Sequence, residues 1–138
     1  MNDCIFCKII AEEIPSYTLY EDDKTRSFLD IFGACDGHAM VILKKHGATI
    51  HDYTAEELGS LWGSVQKVSG AIEKAYGTDI LSIGINHGEP EGVKHLHVHI
   101  MPRYEGDNGG IMQTLPGKKL TDKDFSSVAG KIRSFVQR

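Results

Sequence analysis

The chain has 138 residues, enough for one ordinary domain around a single core. Its 41% hydrophobic and 25% charged residues describe a soluble globular protein, and a formal net charge of -4 speaks against a nucleic-acid coat or an anionic-membrane binder. Three cysteines make no disulfide framework, no basic leader is visible and the most apolar stretch, 28–43, is broken by Asp30, Asp36 and His38, so a cytoplasmic protein without a membrane span is expected.

Taken in order, Cys4 to Ile10 reads as a short helical turn with Ile5, Phe6, Ile9 and Ile10 apolar, ended by Ile14-Pro15. Leu19–Glu21 and Thr25–Ile31 read as two strands joined across Asp22-Asp23-Lys24 in a hairpin. A loop from Gly33 to Gly37 leads to a third strand, His38–Leu43, closed by Lys44-Lys45-His46-Gly47. Thr54-Ala55-Glu56-Glu57 is a capping box that starts a helix. Leu58, Leu61, Trp62, Val65, Val68, Ile72 and Tyr76 then recur at three- and four-residue steps, and Gly77 ends the run. Gly59, Gly63 and Gly70 inside it lower helix propensity by about 1 kcal/mol each against alanine, and one reason to keep them is close approach of another backbone. Ile80–Asn86 and His95–Arg103 are the fourth and fifth strands, linked by the turn-rich His87–Lys94. Asn108-Gly109-Gly110 reads as flexible, and Thr121-Asp122-Lys123-Asp124 caps a last helix with Phe125, Val128, Ile132 and Phe135 on one face.

Strands adjacent in sequence, with helices grouped apart, predict an α+β fold. The expectation is one domain over 1–138: a five-stranded antiparallel sheet, one long central helix, a short N-terminal helix and a C-terminal helix.

The chemistry concentrates in His95-Leu96-His97-Val98-His99-Ile100-Met101-Pro102-Arg103. Histidine alternates with apolar residues, so a strand here carries its imidazoles on one face, neighbours about 7 Å apart. A metal-binding face or a chance polar stripe is the plainer reading. Core packing asks for neither, and chemistry is the stronger one. Cys4-x-x-Cys7 is half of a Cys₂His₂ zinc set. Its rivals are a redox pair, which lacks a preceding strand, and two buried thiols. The outer strand histidines, about 13 Å apart, cannot share one ion. If His95 is drawn to a cysteine-bound zinc, His97 and His99 stay free for substrate. A neutral imidazole is nucleophilic near neutral pH without losing a proton, which suits attack on phosphorus. No Gly-x-Ser-x-Gly elbow, P-loop or Gly-x-Gly-x-x-Gly fingerprint offers a competing site.

The histidine run resembles the alternating motif of the histidine triad superfamily. Cys4-Ile5-Phe6-Cys7-Lys8-Ile9-Ile10 with Ile14-Pro15, Phe28-Leu29-Asp30-Ile31, Gly37-His38 and Lys44-Lys45-His46 resemble its opening segments in the same order, so the likeness runs from Cys4 to Arg103. The resemblance implies nucleotide hydrolases and transferases acting at the α-phosphate through a covalent nucleotidyl-histidine. It implies His97 as the nucleophile, His99 as a phosphate contact and His38 as support for the imidazole network. It further implies Asp30 on the ribose hydroxyls, Ile5, Phe6, Ile9, Phe28 and Ile31 around the base, and Asn86 near the phosphate. In zinc-bearing branches the ligands correspond to Cys4, Cys7, His46 and His95. Members are usually homodimers that pair their sheets across a two-fold axis.

The resemblance therefore implies a purine nucleotide substrate, an adenosine phosphoramidate or a dinucleoside polyphosphate. One departure stands out. Many members carry Gly-Gln-Ser/Thr/Glu-Val before the triad, whereas this chain reads Glu89-Pro90-Glu91-Gly92-Val93-Lys94, acidic and about two residues shorter. That favours compact, less anionic substrates. The competing readings are a zinc-stabilised nucleotide-binding module with little turnover, and a metallohydrolase, which a full Cys₂His₂ shell opposes because it leaves no open position.

Overall fold

A computed structural model describes residues 3–110 and 124–137. The α+β expectation holds. Helix α1 (Ile5–Ile10) precedes strands β1 (Thr18–Glu21), β2 (Thr25–Leu29) and β3 (Ala39–Leu43). A 3-10 turn at Ile50–Asp52 leads into α2 (Ala55–Tyr76), then β4 (Leu81–Gly84), β5 (His97–Pro102) and α3 (Phe125–Arg133). The sheet order is β1-β2-β3-β5-β4, with every neighbouring pair antiparallel.

Helix α2 starts where its capping box predicts. Thr54 Oγ1 accepts from the Glu57 amide at 3.1 Å, and Glu57 Oε2 accepts from the Thr54 amide at 2.9 Å. It ends at Gly77, whose φ of 63° is left-handed. Leu61, Ser64, Val65, Val68 and Ile72 are its buried stripe. Trp62 and Tyr76 were expected on that stripe but are 46% and 42% exposed. Trp62 sits one position off the buried row. Tyr76 lies over Gly37, where a Cβ would come within 2.6 Å of its ring. Among the described residues the close backbone approach expected at Gly59, Gly63 and Gly70 is absent, since a Cβ at any of them meets nothing within 4 Å.

The sheet's two faces have different jobs. Val41, Val98 and Ile100 face α2 and form the larger core with Leu61, Val65 and Val68. Met40 and Ile42 face the other way, packing with Phe6, Ile9 and Phe28 under α1. Alternation in β5 places His97 and His99 on this second face, opposite Ile42 and Met40 of β3. The fold thus leaves the histidines beside a short helix that covers only part of the face.

Several boundaries differ from expectation. Strand β2 stops at Leu29, because Asp30 caps a turn by accepting the Phe32 amide on Oδ1 at 2.9 Å, and Ile31 therefore lies beyond the strand. His95 and Leu96 precede β5: the Leu96 amide donates to the Gly47 carbonyl at 2.7 Å, which holds this segment against the turn after β3. Asn108–Gly110 is tied down by Arg103 and Asp107, with the Arg103 guanidinium donating to the Gly110 carbonyl at 3.0 Å. Asp124 is the N-cap of α3, accepting from the Ser127 amide, while Thr121–Lys123 lie outside the described residues. Much of the apolar face expected on α3 is exposed: Phe125 and Ile132 are 67% and 60% exposed, and Phe135 falls past the helix end.

One buried charge escaped the sequence reading. Arg26, on β2, donates to the Ile9 carbonyl at 3.0 Å and to Thr18 Oγ1, fastening the end of α1 to the sheet.

Candidate active site

Two constellations stand side by side on this face. The first draws on three separated segments. Cys4 is the N-cap residue of α1 and Cys7 lies one turn on, so both thiols leave the same side. His46 lies in the turn after β3, where the Tyr53 hydroxyl donates to the Lys45 and Gly47 carbonyls at 2.9 and 3.1 Å. His95 arrives on the segment tied to that turn. Its Nδ1 lies 3.5 Å from Cys4 Sγ and 3.6 Å from Cys7 Sγ, and His46 Nδ1 lies 3.3 Å from Cys7 Sγ. All four donor atoms are within 4.8 Å of one another. A tetrahedral zinc with its usual bond lengths needs donor–donor edges of about 3.3–3.8 Å, which these three sulfur–nitrogen distances match. The tautomer fits as well. His95 is fully buried and its Nε2 donates to the Leu43 carbonyl at 2.7 Å, which leaves the Nδ1 lone pair facing the sulfurs.

The second constellation is the histidine cluster. His97 Nδ1 donates to the His95 carbonyl at 2.7 Å, so the free lone pair of its neutral ring is on Nε2. The His97 and His99 ring centroids are 4.9 Å apart. Phe6 stands edge-on to His97 at 5.1 Å and to Phe28 at 5.4 Å, bracing the imidazole from the α1 side. His38, at the start of β3, places Nε2 2.8 Å from His99 Nδ1 and 3.6 Å from Asp30 Oδ2. Burial pushes the His38 and His99 imidazoles below the ordinary histidine range. At His99 the neighbouring His97 and His38 add to this, while Asp30 pulls both rings the other way.

Asp30, His38 and His99 also converge closely enough to suggest a second metal site. Hydrogen bonding argues against it. The Ala34 amide donates to His38 Nδ1 at 2.9 Å, so the ring hydrogen belongs on Nε2, the atom a metal would need bare.

The cluster opens into a cleft of about 370 Å³. His97 and His99 line it together with the apolar side chains of Ile5, Phe6, Ile9 and Phe28. Asp30, Ile31, Asn86, Glu89 and Glu91 also line it. Such a cavity, mostly apolar with a few converging polar groups, suits a flat ring carrying a polar tail.

The HIT domain family model matches residues 11–106. The chain belongs to the HIT family. The adenosine 5'-monophosphoramidase HNT1 of Saccharomyces cerevisiae is 37% identical over 131 residues, covering 94% of this chain and 77% of the yeast protein. A solved HIT family protein from Bacillus subtilis is 33% identical, covers 99% of both chains and superposes with a TM-score of 0.85. A zinc-bound histidine triad family protein from Mycobacterium smegmatis is 26% identical with a TM-score of 0.73, covering 96% of this chain and 97% of that one.

Within this HIT fold the residues singled out from sequence fall into two groups. Cys4, Cys7, His46 and His95 meet in one cluster. Ile5, Phe6, Ile9, Phe28, Asp30, Ile31, Asn86, His97 and His99 share the cleft, with His38 behind His99. Ile31 reaches the cleft from the turn after β2, 70% exposed, and Asn86 follows β4. Sequence reasoning missed two further residues of the cleft, Phe32, 91% exposed, and Met40, which is buried. Antiparallel register could have found Met40, because it pairs with both Phe28 and His99. Lys94, directly before the triad, gives its ammonium to the Glu89 carbonyl.

Proposed function

We propose that this HIT protein hydrolyses or transfers the nucleotidyl group of a purine nucleotide conjugate, and that its preferred substrates are adenosine phosphoramidates. One observation carries the reading: the backbone carbonyl of His95 holds the His97 Nδ1 hydrogen, so a neutral ring presents Nε2 as nucleophile in a mostly apolar cleft. The base packs against the apolar side chains of the cleft, Asp30 accepts from the ribose hydroxyls, and the α-phosphate sits between His97 and His99. His97 Nε2 forms a bond to phosphorus. The bond from phosphorus to the leaving nitrogen breaks, and the amine departs with the proton its nitrogen carries in the reactive form. The resulting phosphoimidazolium keeps its Nδ1 hydrogen on the His95 carbonyl. Water then attacks phosphorus, the phosphorus–imidazole bond breaks, and nucleoside monophosphate leaves with a proton. The yeast relative's name, adenosine 5'-monophosphoramidase, supports this substrate class.

Cys4, Cys7, His46 and His95 hold a structural zinc in this reading. The zinc ties α1 to the ends of β3 and β5 and takes no part in the reaction, because four protein ligands leave no open position. Thiolate ligands call for a reducing compartment such as the cytoplasm. The chain pairs as a homodimer, and β4 is the suitable sheet edge, since the register break at Thr18/Tyr20 disrupts the other edge, β1.

The test is a panel of adenosine phosphoramidates and dinucleoside polyphosphates scored for nucleoside monophosphate release, run with His97→Ala alongside. Wild-type protein quenched during turnover should carry a nucleotidyl adduct on His97. His97→Ala should lose several orders of magnitude in rate while still binding nucleotide. Activity within about tenfold of wild type, about 1.4 kcal/mol of barrier, refutes the covalent route. Nucleotide binding with no release on any substrate favours the binding-module reading, for which the acidic Glu89 and Glu91 in the cleft speak.

A further inference from the structure

The loop between β2 and β3 lines the cleft through Asp30, Ile31 and Phe32, and it also touches the imidazole network through its backbone. It is drawn shut at both ends. The Asp30 amide donates to the His38 carbonyl at 2.9 Å, and the Gly33 amide donates to the Asp30 carbonyl at 3.1 Å. This closure brings the Ala34 N–H to 2.9 Å from His38 Nδ1. A backbone amide is a permanent donor, so the nitrogen it faces must be an acceptor. His38 then carries its hydrogen on Nε2, which is 2.8 Å from His99 Nδ1. His99 Nδ1 must in turn accept, and the His99 hydrogen is forced to Nε2, the other side of the ring. The Asp30 carboxylate, 3.6 Å from His38 Nε2, favours the same placement.

We infer that the Ala34 amide is a tautomer switch set in one position: acting through His38, it makes His99 a hydrogen-bond donor rather than an acceptor at the cleft. The use of that donor, to hold a phosphate oxygen, rests on the function proposed above. The sign of the effect is what matters. Without the Ala34 donor, His38 is free to carry its hydrogen on Nδ1 and accept from His99 on Nε2. His99 would then turn a lone pair toward an anionic phosphate. Ala34 and Gly33 are thus positioning residues. Gly33 is needed for the approach, because a Cβ there would lie 2.8 Å from His38 Cβ and 2.9 Å from the Asp30 carbonyl oxygen.

The measurement is long-range nitrogen–proton correlation of the imidazole rings in the intact, ligand-free protein, which reports each tautomer directly. Wild type should show the Nε2–H form at His38 and His99 and the Nδ1–H form at His97. Ala34→Pro deletes the donor. It should move the His99 hydrogen toward Nδ1 and lower kcat by about tenfold to a hundredfold with KM little changed. Ala34→Gly keeps the amide and should restore both the tautomer and kcat. Gly33→Ala displaces His38 by contact and should reproduce the Ala34→Pro signature, which decides the matter if the proline variant does not fold. An Nδ1–H tautomer at His38 in wild type, or unchanged His99 tautomers in both Ala34→Pro and Gly33→Ala, overturns the inference. Wild-type tautomers as stated, together with no turnover of any nucleotide, would instead overturn the proposed function and leave the tautomer switch standing.

Discussion

Asp22 closes the β1–β2 hairpin and shows how far one carboxylate can be tied into a fold. Its Oδ1 accepts from the Lys24 amide at 2.9 Å, the Thr25 amide at 2.7 Å and Thr25 Oγ1 at 2.9 Å. Its Oδ2 accepts from the Tyr20 hydroxyl at 3.0 Å and from Ser64 Oγ, on α2, at 3.4 Å. Burial alone would raise its pKa, but these donors outweigh it and hold the carboxyl at about 2, against 3.8 for a free aspartate. Because the folded value is the lower one, the stabilisation is fully present above about pH 4 and is lost as pH falls through about 2. The difference is worth about 2 kcal/mol at neutral pH, roughly half of it remaining at about pH 3. Asp22→Asn keeps an acceptor in the Oδ1 position but turns an amide donor on Tyr20 and Ser64. Urea unfolding at a series of pH values should therefore show a gap of about 2 kcal/mol between wild type and Asp22→Asn near neutrality, closing with acid. A gap that stays constant from about pH 7 to pH 3, or no gap at neutrality, refutes the account.

Protein purified without chelator should contain one zinc per chain, and a chelator or Cys7→Ser should lower Tm; sub-stoichiometric zinc in metal analysis, or zinc bound by His97, counts against the site. Gly63→Ala should stabilise the protein by about 0.5–1 kcal/mol, since a Cβ there meets nothing within 4 Å and helical alanine restricts the unfolded chain; destabilisation would mean that a second surface packs on α2. Replacing Glu89 and Glu91 together with glutamine should narrow the preference in kcat/KM for an adenosine phosphoramidate over a dinucleoside tetraphosphate, most clearly at low salt; a wild-type preference for the tetraphosphate would show that the acidic loop does not select.

Local chemistry made much of the fold legible. The capping box and terminal glycine bound α2 at both ends, because each works through hydrogen bonds among residues close in sequence. Period-two alternation likewise placed β5 and the inward side of Val98 and Ile100. Strand ends were less legible, since a strand stops where a competing local bond or a distant partner captures its backbone. At β2 that bond is the Asp30 cap on Phe32; at β5 it is the Gly47 carbonyl taking the Leu96 amide, a partner 49 positions away by numbering. Apolar residues misled where periodicity alone was read. Trp62 fits a helical repeat, yet the covering sheet reaches only the row through Leu61, Val65 and Val68.

The site divides along the same line. Spacing offered Cys4 and Cys7 as half of a zinc set and kept His95 and His99 from sharing one ion, because ligand chemistry limits which side chains can meet at a metal, while the full set with His46 came from the resemblance to the histidine triad superfamily. What spacing does not carry is which nitrogen of each ring holds the hydrogen. In this protein backbone groups decide it: the Leu43 carbonyl for His95, the His95 carbonyl for His97 and the Ala34 amide for His38. A carbonyl or an amide is common to nearly every residue type, so a sequence motif cannot record it. These contacts are set by the turn after β3, the entry to β5 and the loop before β3. Substitutions in those segments can therefore change the chemistry of the histidines while every histidine stays in place.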